Sequence, residues 1–241
     1  MGFIAKKMKI RLFTIPNMLT LGNLICGSSA VVALLMHSNF EQAFWLVVAS
    51  AVFDFFDGFA ARLLKSVSAI GVELDSLADM VSFGLVPSVA MFCLWDVAPA
   101  TMALPAWMQY LTLTIVAFSA LRLAKFNIDD TQTTEFCGLP TPANGLFCLS
   151  LAMLMAQGHI SLPQWAIVAI SVGMAYMLIS PVRMFALKFK GFGWQGNELR
   201  YSFIALCAVL IAACTRYAVP AIILLYMIIS AIRWAVNTNK K

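Results

Sequence analysis

Long apolar runs, broken at short intervals by proline, glycine and small groups of charge, dominate the chain. Taking about 20 apolar residues per bilayer crossing, they predict helical spans near 17–36, 41–63, 72–96, 105–124, 141–157, 163–182, 201–214 and 217–236. The breaks fall at Pro105, Gly138-Leu139-Pro140, Gly158, Pro163 and from Gly191 to Gly196, residues that end or turn helices. The seventh run is short, so the Thr215-Arg216 turn is expected to lie shallow. Pro87 is expected to kink the third span. Residues 4–15 predict a short interfacial helix. Ile4, Met8, Ile10, Leu12 and Phe13 would face lipid and the lysines would face anionic head groups; a frayed basic tail is the alternative. The pattern divides into a basic N-terminal segment (1–16), a six-helix core (17–182) and a C-terminal part (183–241). That last part holds a loop followed by a transmembrane hairpin. The fold class is all-α and polytopic, with about eight transmembrane helices.

Composition agrees. Of 241 residues, 62% are hydrophobic and 11% charged, against about a quarter charged in a soluble domain. A signal peptide is not expected, because the first run opens on Pro16-Asn17 and shows no small-x-small cleavage site. With both termini placed in the cytoplasm, every one of the sixteen basic residues except Arg216 falls on that side, as the positive-inside rule requires. The net charge of +5 therefore reads as topology and not as nucleic-acid binding. The six cysteines form no CxxC pair and read as ordinary thiols in apolar runs. His37 and His159 lie near span ends without a partner at metal-ligand spacing.

The pattern Asp54-x2-Asp57-Gly58-x2-Ala61-Arg62-x8-Gly71-x3-Asp75-x3-Asp79 runs against this apolar background. One charge at the bilayer centre costs roughly 2.5–3.5 kcal/mol on the mildest scale, so four carboxylates need a cation among them. Neither span holds a basic residue at carboxylate depth, which disfavours a structural ion-pair network. Asp54 and Asp57 share one helix face, as do Asp75 and Asp79. At about 1.5 Å per residue, Asp57 lies roughly 7.5 Å below Arg62 and Asp75 roughly 6 Å below Gly71, so the two pairs come level. Converging carboxylates suit hard divalent cations. Two such ions about 4 Å apart would clamp an in-line phosphoryl displacement. Gly58 and Ala61 keep the same face low, and Arg62 at the rim can hold a phosphate bidentately.

This pattern resembles the signature of the CDP-alcohol phosphotransferases, with every signature position filled. Within that family the chain is most similar to the integral-membrane bacterial members that use serine. Ile15-Pro16-Asn17-Met18-Leu19-Thr20, Ser82-Phe83-Gly84 and residues 122–127 with 136–143 carry the narrower match. The resemblance implies a catalytic core built around two divalent ions, Mg²⁺ or Mn²⁺, with Ca²⁺ as a non-productive occupant. Asp54, Asp57, Asp75 and Asp79 would hold the metals, and Asp79 would also act as general base. Asn17, Thr20, Asp54, Gly58, Arg62 and Ser68 would contact CDP-diacylglycerol. It implies L-serine as acceptor, CMP as leaving group, a homodimer, and a bacterial cytoplasmic membrane with the site and both termini on the cytoplasmic face.

The acceptor site is less defined. Serine needs a cation for its carboxylate and an acceptor for its ammonium. Arg122 and Lys125 suit the first role, Asn127 or Glu135 the second, and Ser82 can line the pocket. The alternatives are that Arg122 and Lys125 are positive-inside anchors and Ser82 a small-residue helix contact. Glycerol 3-phosphate or an inositol would be the competing acceptor. A divalent-cation transporter is the competing class, disfavoured because Gly58 and Arg62 suit phosphate.

Overall fold

The structure is a computed structural model that describes residues 12–129, 135–185, 193–194 and 197–238. The expected N-terminal interfacial helix lies outside the described residues except for residues 12–14, which are not helical. Thr14 instead caps α1 (Ile15–His37), its side chain accepting the N–H of Asn17 at 3.3 Å. Pro16 sits in the first turn, where a missing N–H is harmless. The chain reverses at Ser38, which is left-handed with φ 47°. Asn39 caps α2 (Phe40–Leu63) by accepting the N–H of Gln42 at 2.9 Å, and α2 returns along α1.

Helix α3 (Ala69–Val97) begins at Ser68, whose hydroxyl accepts the N–H of Gly71 at 3.2 Å. It widens to a π-helix over Met80–Leu85, just before Pro87. Proline offers no N–H and crowds the carbonyl four residues back; the wider turn absorbs that conflict. Where the sequence predicts a kink at Pro87, α3 carries a π-helical register shift just before it. Helix α4 (Ala106–Ile128) starts as 3₁₀ and continues as α from Thr114. It runs one turn past the expected end at 124, which puts Asn127 on the helix. Helices α5 (Thr141–Ala156) and α6 (Gln164–Ile179) follow, then α7 (Glu198–Cys214) and α8 (Ala218–Thr238).

Among the described residues, five stretches are long and apolar enough to cross a membrane: α1, α2, α3, α4 and Glu198–Val236. The last is broken at Thr215, where φ is 35°. Helices α5 and α6 are apolar but have 16 residues each, below the about 20 that a perpendicular span needs. The chain is thus a helical membrane protein. Its core holds Phe83, Met91 and Leu94 of α3 against Leu149 of α5 and Ile167 and Leu178 of α6, all fully buried. Phe55, Phe59 and Leu63 on the outer face of α2 stay exposed, as lipid-facing residues should.

One element departs from an all-helical reading. Strand β1 (Glu135–Cys137) pairs antiparallel with β2 (Arg183–Phe185), Phe136 opposite Met184. Three residues are too few to show a strand period, so the pairing is purely tertiary. Gly138 ends β1 at φ 79°, and a Cβ there would run into the carbonyl of Leu178.

Candidate active site

Three helices bring the site together. On α1, Asn17, Thr20 and Asn23 recur every third residue and are all buried. On the last turns of α2 stand Asp54, Asp57, Gly58 and Arg62; on the first turns of α3 stand Gly71, Asp75 and Asp79. The connection between α2 and α3 is short. Lys65 is left-handed at φ 50°, and Ser68 restarts the helix as its cap.

Asp54, Asp57 and Asp75 offer carboxylate oxygens that all lie within 4.8 Å of one another. At an effective dielectric of about 20, each such pair of charges repels by on the order of 3 kcal/mol. Oδ1 of Asp75 is buried and has no hydrogen-bond partner among the described residues. Crowded hard oxygen donors with an orphaned lone pair fit a divalent cation. The residues present therefore suit the metal that the carboxylate pattern calls for.

The carboxylates are held from α1. The Thr20 hydroxyl donates to Asp57 Oδ2 at 2.6 Å, with the Pro16 carbonyl as a second acceptor at 3.1 Å. Asn23 Nδ2 donates to Asp79 Oδ1 at 3.1 Å. Ser82 Oγ donates to Asn23 Oδ1 at 2.7 Å, which fixes the amide with its NH₂ towards Asp79. Ser50 Oγ donates to the Asn23 carbonyl at 3.1 Å. Asp79 stands outside the group of three and is buried. Its Oδ2 accepts no hydrogen bond from the described residues.

A cleft of about 200 Å³ opens beside Asp57 and Asp75, lined also by Asn17, Thr20, Gly58, Ala61, Arg62, Ser68 and Gly71. Arg62 folds back over Gly58: a Cβ added there would meet both terminal guanidinium nitrogens at 3.9 Å. Of the residues expected to contact nucleotide, only Asp54 does not line the cleft. Thr20 and Ser68 also carry structural bonds, to Asp57 and as the α3 cap.

The expected acceptor residues scatter. Ser82 is fully buried and committed to Asn23, behind Asp79. Arg122 is 8% exposed; it donates from Nη1 to Thr141 Oγ1 at 2.8 Å, and its buried Nε has no partner. Its guanidinium also lies 5.9 Å from the centre of the Phe126 ring. Like Arg122 Nε, Asn144 Nδ2 and Ser119 Oγ are buried without partners among the described residues. Lys125 is exposed, with Nζ 3.8 Å from Cys137 Sγ. Asn127 Nδ2 donates to Ser76 Oγ at 2.9 Å, one residue from Asp75. Glu135 begins β1, and its side chain lies outside the described residues. Sequence reasoning missed Asn23, Ser50, Thr141 and Asn144. The available signal was polar residues inside apolar runs, at helical spacing from Asn17 and Thr20 on α1.

Clustered carboxylates beside an arginine-capped cleft, in a helical membrane protein, define a class that handles charged phosphate at the bilayer surface. The CDP-alcohol phosphatidyltransferase family model matches residues 13–180, and the chain belongs to that family. It is 36% identical over 174 residues to the CDP-diacylglycerol–serine O-phosphatidyltransferase of Bacillus subtilis (strain 168), covering 70% of this chain and 88% of that one. To the protein of the same name from Helicobacter pylori (strain ATCC 700392 / 26695) it is 30% identical over 230 residues, 92% of each chain. The Methanocaldococcus jannaschii counterpart is 32% identical over 173 residues, 72% of this chain and 74% of that one.

Proposed function

We propose that the chain transfers the phosphatidyl group of CDP-diacylglycerol to the hydroxyl of L-serine, forming phosphatidylserine and releasing CMP. The observation that carries this reading is the meeting of Asp54, Asp57 and Asp75 beside the cleft that Arg62 overhangs. The relatives' shared name supports serine as the acceptor. In this reading Asp54, Asp57, Asp75 and Asp79 would hold two divalent cations, Mg²⁺ or Mn²⁺, which when bound neutralise the diphosphate and the departing CMP. Arg62 grips the diphosphate, with Gly58 leaving room beneath it. Asn17 and Ser68 line the nucleotide side. Asp79, steadied through Oδ1 by Asn23, takes the serine hydroxyl proton on Oδ2 as that oxygen attacks phosphorus.

Arg122 takes the serine carboxylate. A nearly buried guanidinium with a free N–H and no ion pair among the described residues is an anion site awaiting its anion. Asn127, anchored next to Asp75 by Ser76, suits the serine ammonium; Lys125 is the second candidate for the carboxylate and Glu135 the second for the ammonium. Ser82 serves by orienting Asn23.

The reading includes eight crossings, with α5 and α6 as short spans. Residues 17–182 form the catalytic core, 1–16 a basic interfacial segment and 183–241 a loop and transmembrane hairpin. The site and both termini face the cytoplasm of a bacterial inner membrane, supported by the one-sided basic residues. The resemblance to the family adds a homodimer. An acceptor screen tests the function: purified protein with CDP-diacylglycerol and Mg²⁺ or Mn²⁺ is offered serine, glycerol 3-phosphate and inositol, and CMP release is followed. Release with serine alone is expected; release only with another alcohol would overturn the acceptor.

A further inference from the structure

At the other end of α2 from the carboxylates is a second cavity, of about 630 Å³. Glu41 in its wall is sixteen residues from Asp57, about 24 Å along the helix, so the two sites are separate. Three segments distant in sequence supply its polar groups: the start of α2, α5 with the loop that follows it, and the α7–α8 turn. Gln157 Nε2 donates to Glu41 Oε2 at 3.3 Å. Arg216 Nη1 lies 2.6 Å from His159 Nε2, and the Tyr217 hydroxyl reaches the His159 carbonyl at 3.5 Å. Arg216 and Glu41 both line the cavity, yet no salt bridge joins them among the described residues.

Opposite charges held apart across a cavity complement a zwitterion. Apart from Ser150 and Thr215 the remaining wall is apolar, with Phe44, Met153 and Val219 among its residues. Trp45 and Ile211 are 60% and 58% exposed on the outer surface of the helices. Tryptophan there suits the level of the head groups. Arg216 is also the one basic residue that the positive-inside pattern leaves on this side, where basic residues are disfavoured.

We propose that this cavity binds the head group of a zwitterionic aminophospholipid. Its phosphate pairs with Arg216 beside His159, and its primary ammonium donates to Glu41 and the Gln157 carbonyl. Its chains leave between Trp45 and Ile211 into the bilayer. The proposal does not depend on the acceptor used in catalysis.

The test is native mass spectrometry of the purified, delipidated protein with phosphatidylethanolamine, phosphatidylcholine or phosphatidylglycerol of identical chains. Since the active site also takes lipid, the readout is the difference between the parent protein and variants at this cavity. Phosphatidylethanolamine should be retained several-fold over the other two. Arg216→Gln should lower its retention about tenfold, and Glu41→Gln should abolish the preference for the primary amine over the trimethylated one. Thermal transitions report that the variants are folded, and either folded variant suffices. Equal retention of all three lipids, or retention unchanged in a folded variant, overturns the proposal. So does full displacement by an equal concentration of glycerophosphoethanolamine, which would make the ligand a soluble zwitterion.

Discussion

Asn23 on α1 holds Asp79 on α3 by a hydrogen bond of 3.1 Å between residues 56 apart in sequence. Ser82 in turn holds the Asn23 amide. The bond engages Asp79 Oδ1, so in the proposed mechanism Oδ2 is the oxygen that takes the proton. Asp79→Asn should keep CDP-diacylglycerol binding and lose turnover by roughly two to four orders of magnitude, as expected for a general base. Asn23→Ala should lower kcat more than it raises either KM. Steady-state CMP release checks both, and near-parental kcat in Asp79→Asn removes that residue from the base role.

The short bond from Thr20 to Asp57 predicts an effect on metal affinity. Loss of an outer partner of a metal ligand commonly costs about 10–100-fold in affinity. Thr20→Val should therefore shift the Mg²⁺ or Mn²⁺ activation curve upward by that order, while Thr20→Ser should restore it. Chelation with EDTA should silence both proteins, and excess metal should revive them. Identical activation curves for Thr20→Val and the parent would show that Asp57 needs no help from α1.

Arg62 overhangs Gly58. Arg62→Ala should weaken CDP-diacylglycerol binding by about 2–3 kcal/mol if the guanidinium makes charge-assisted bonds to the diphosphate. Arg62→Lys should recover little, because an ammonium cannot make the paired contact. Unchanged nucleotide-lipid affinity in the alanine variant would dismiss the clamp.

If Arg122 takes the serine carboxylate, its removal should separate donor from acceptor. Arg122→Ala should raise the serine KM at least tenfold and leave the CDP-diacylglycerol KM within a factor of two. Ethanolamine, which is serine without its carboxylate, should not distinguish the parent from the variant. Equal losses for both substrates would make Arg122 a structural residue.

Gly27 lies where α1 crosses α3. A Cβ there would collide with Ser82 Oγ and come within 2.9 Å of the Ser82 Cα. Backbone cannot yield as a flexible side chain can, so Gly27→Ala should cost about 1–3 kcal/mol of stability. A lowered thermal transition is expected, with reduced turnover because the displaced serine is the one that orients Asn23. A variant as stable as the parent would mean the two helices can part without loss.

The carboxylate site was largely legible before any tertiary structure, because helical spacing is a local property. Residues three or four apart must share a face, and two consecutive antiparallel helices bring their pairs level. Apolar run length defined the long helices for the same reason, since it depends on neighbours along the chain. What stayed hidden was everything that depends on which faces meet. Nothing local to Asn23 announces Asp79, and nothing near His159 announces Arg216, 57 residues away. The π-helical turn before Pro87 rotates the second half of α3 relative to its aspartates, a shift that periodicity alone misplaces. The ribbon between residues 135–137 and 183–185 exists only by pairing, and it closes the chain beside Arg122 and Lys125. Local order set the charges in place along the helices; packing between distant helices decided which hydroxyls and amides hold them, and that packing follows from the contact of whole faces.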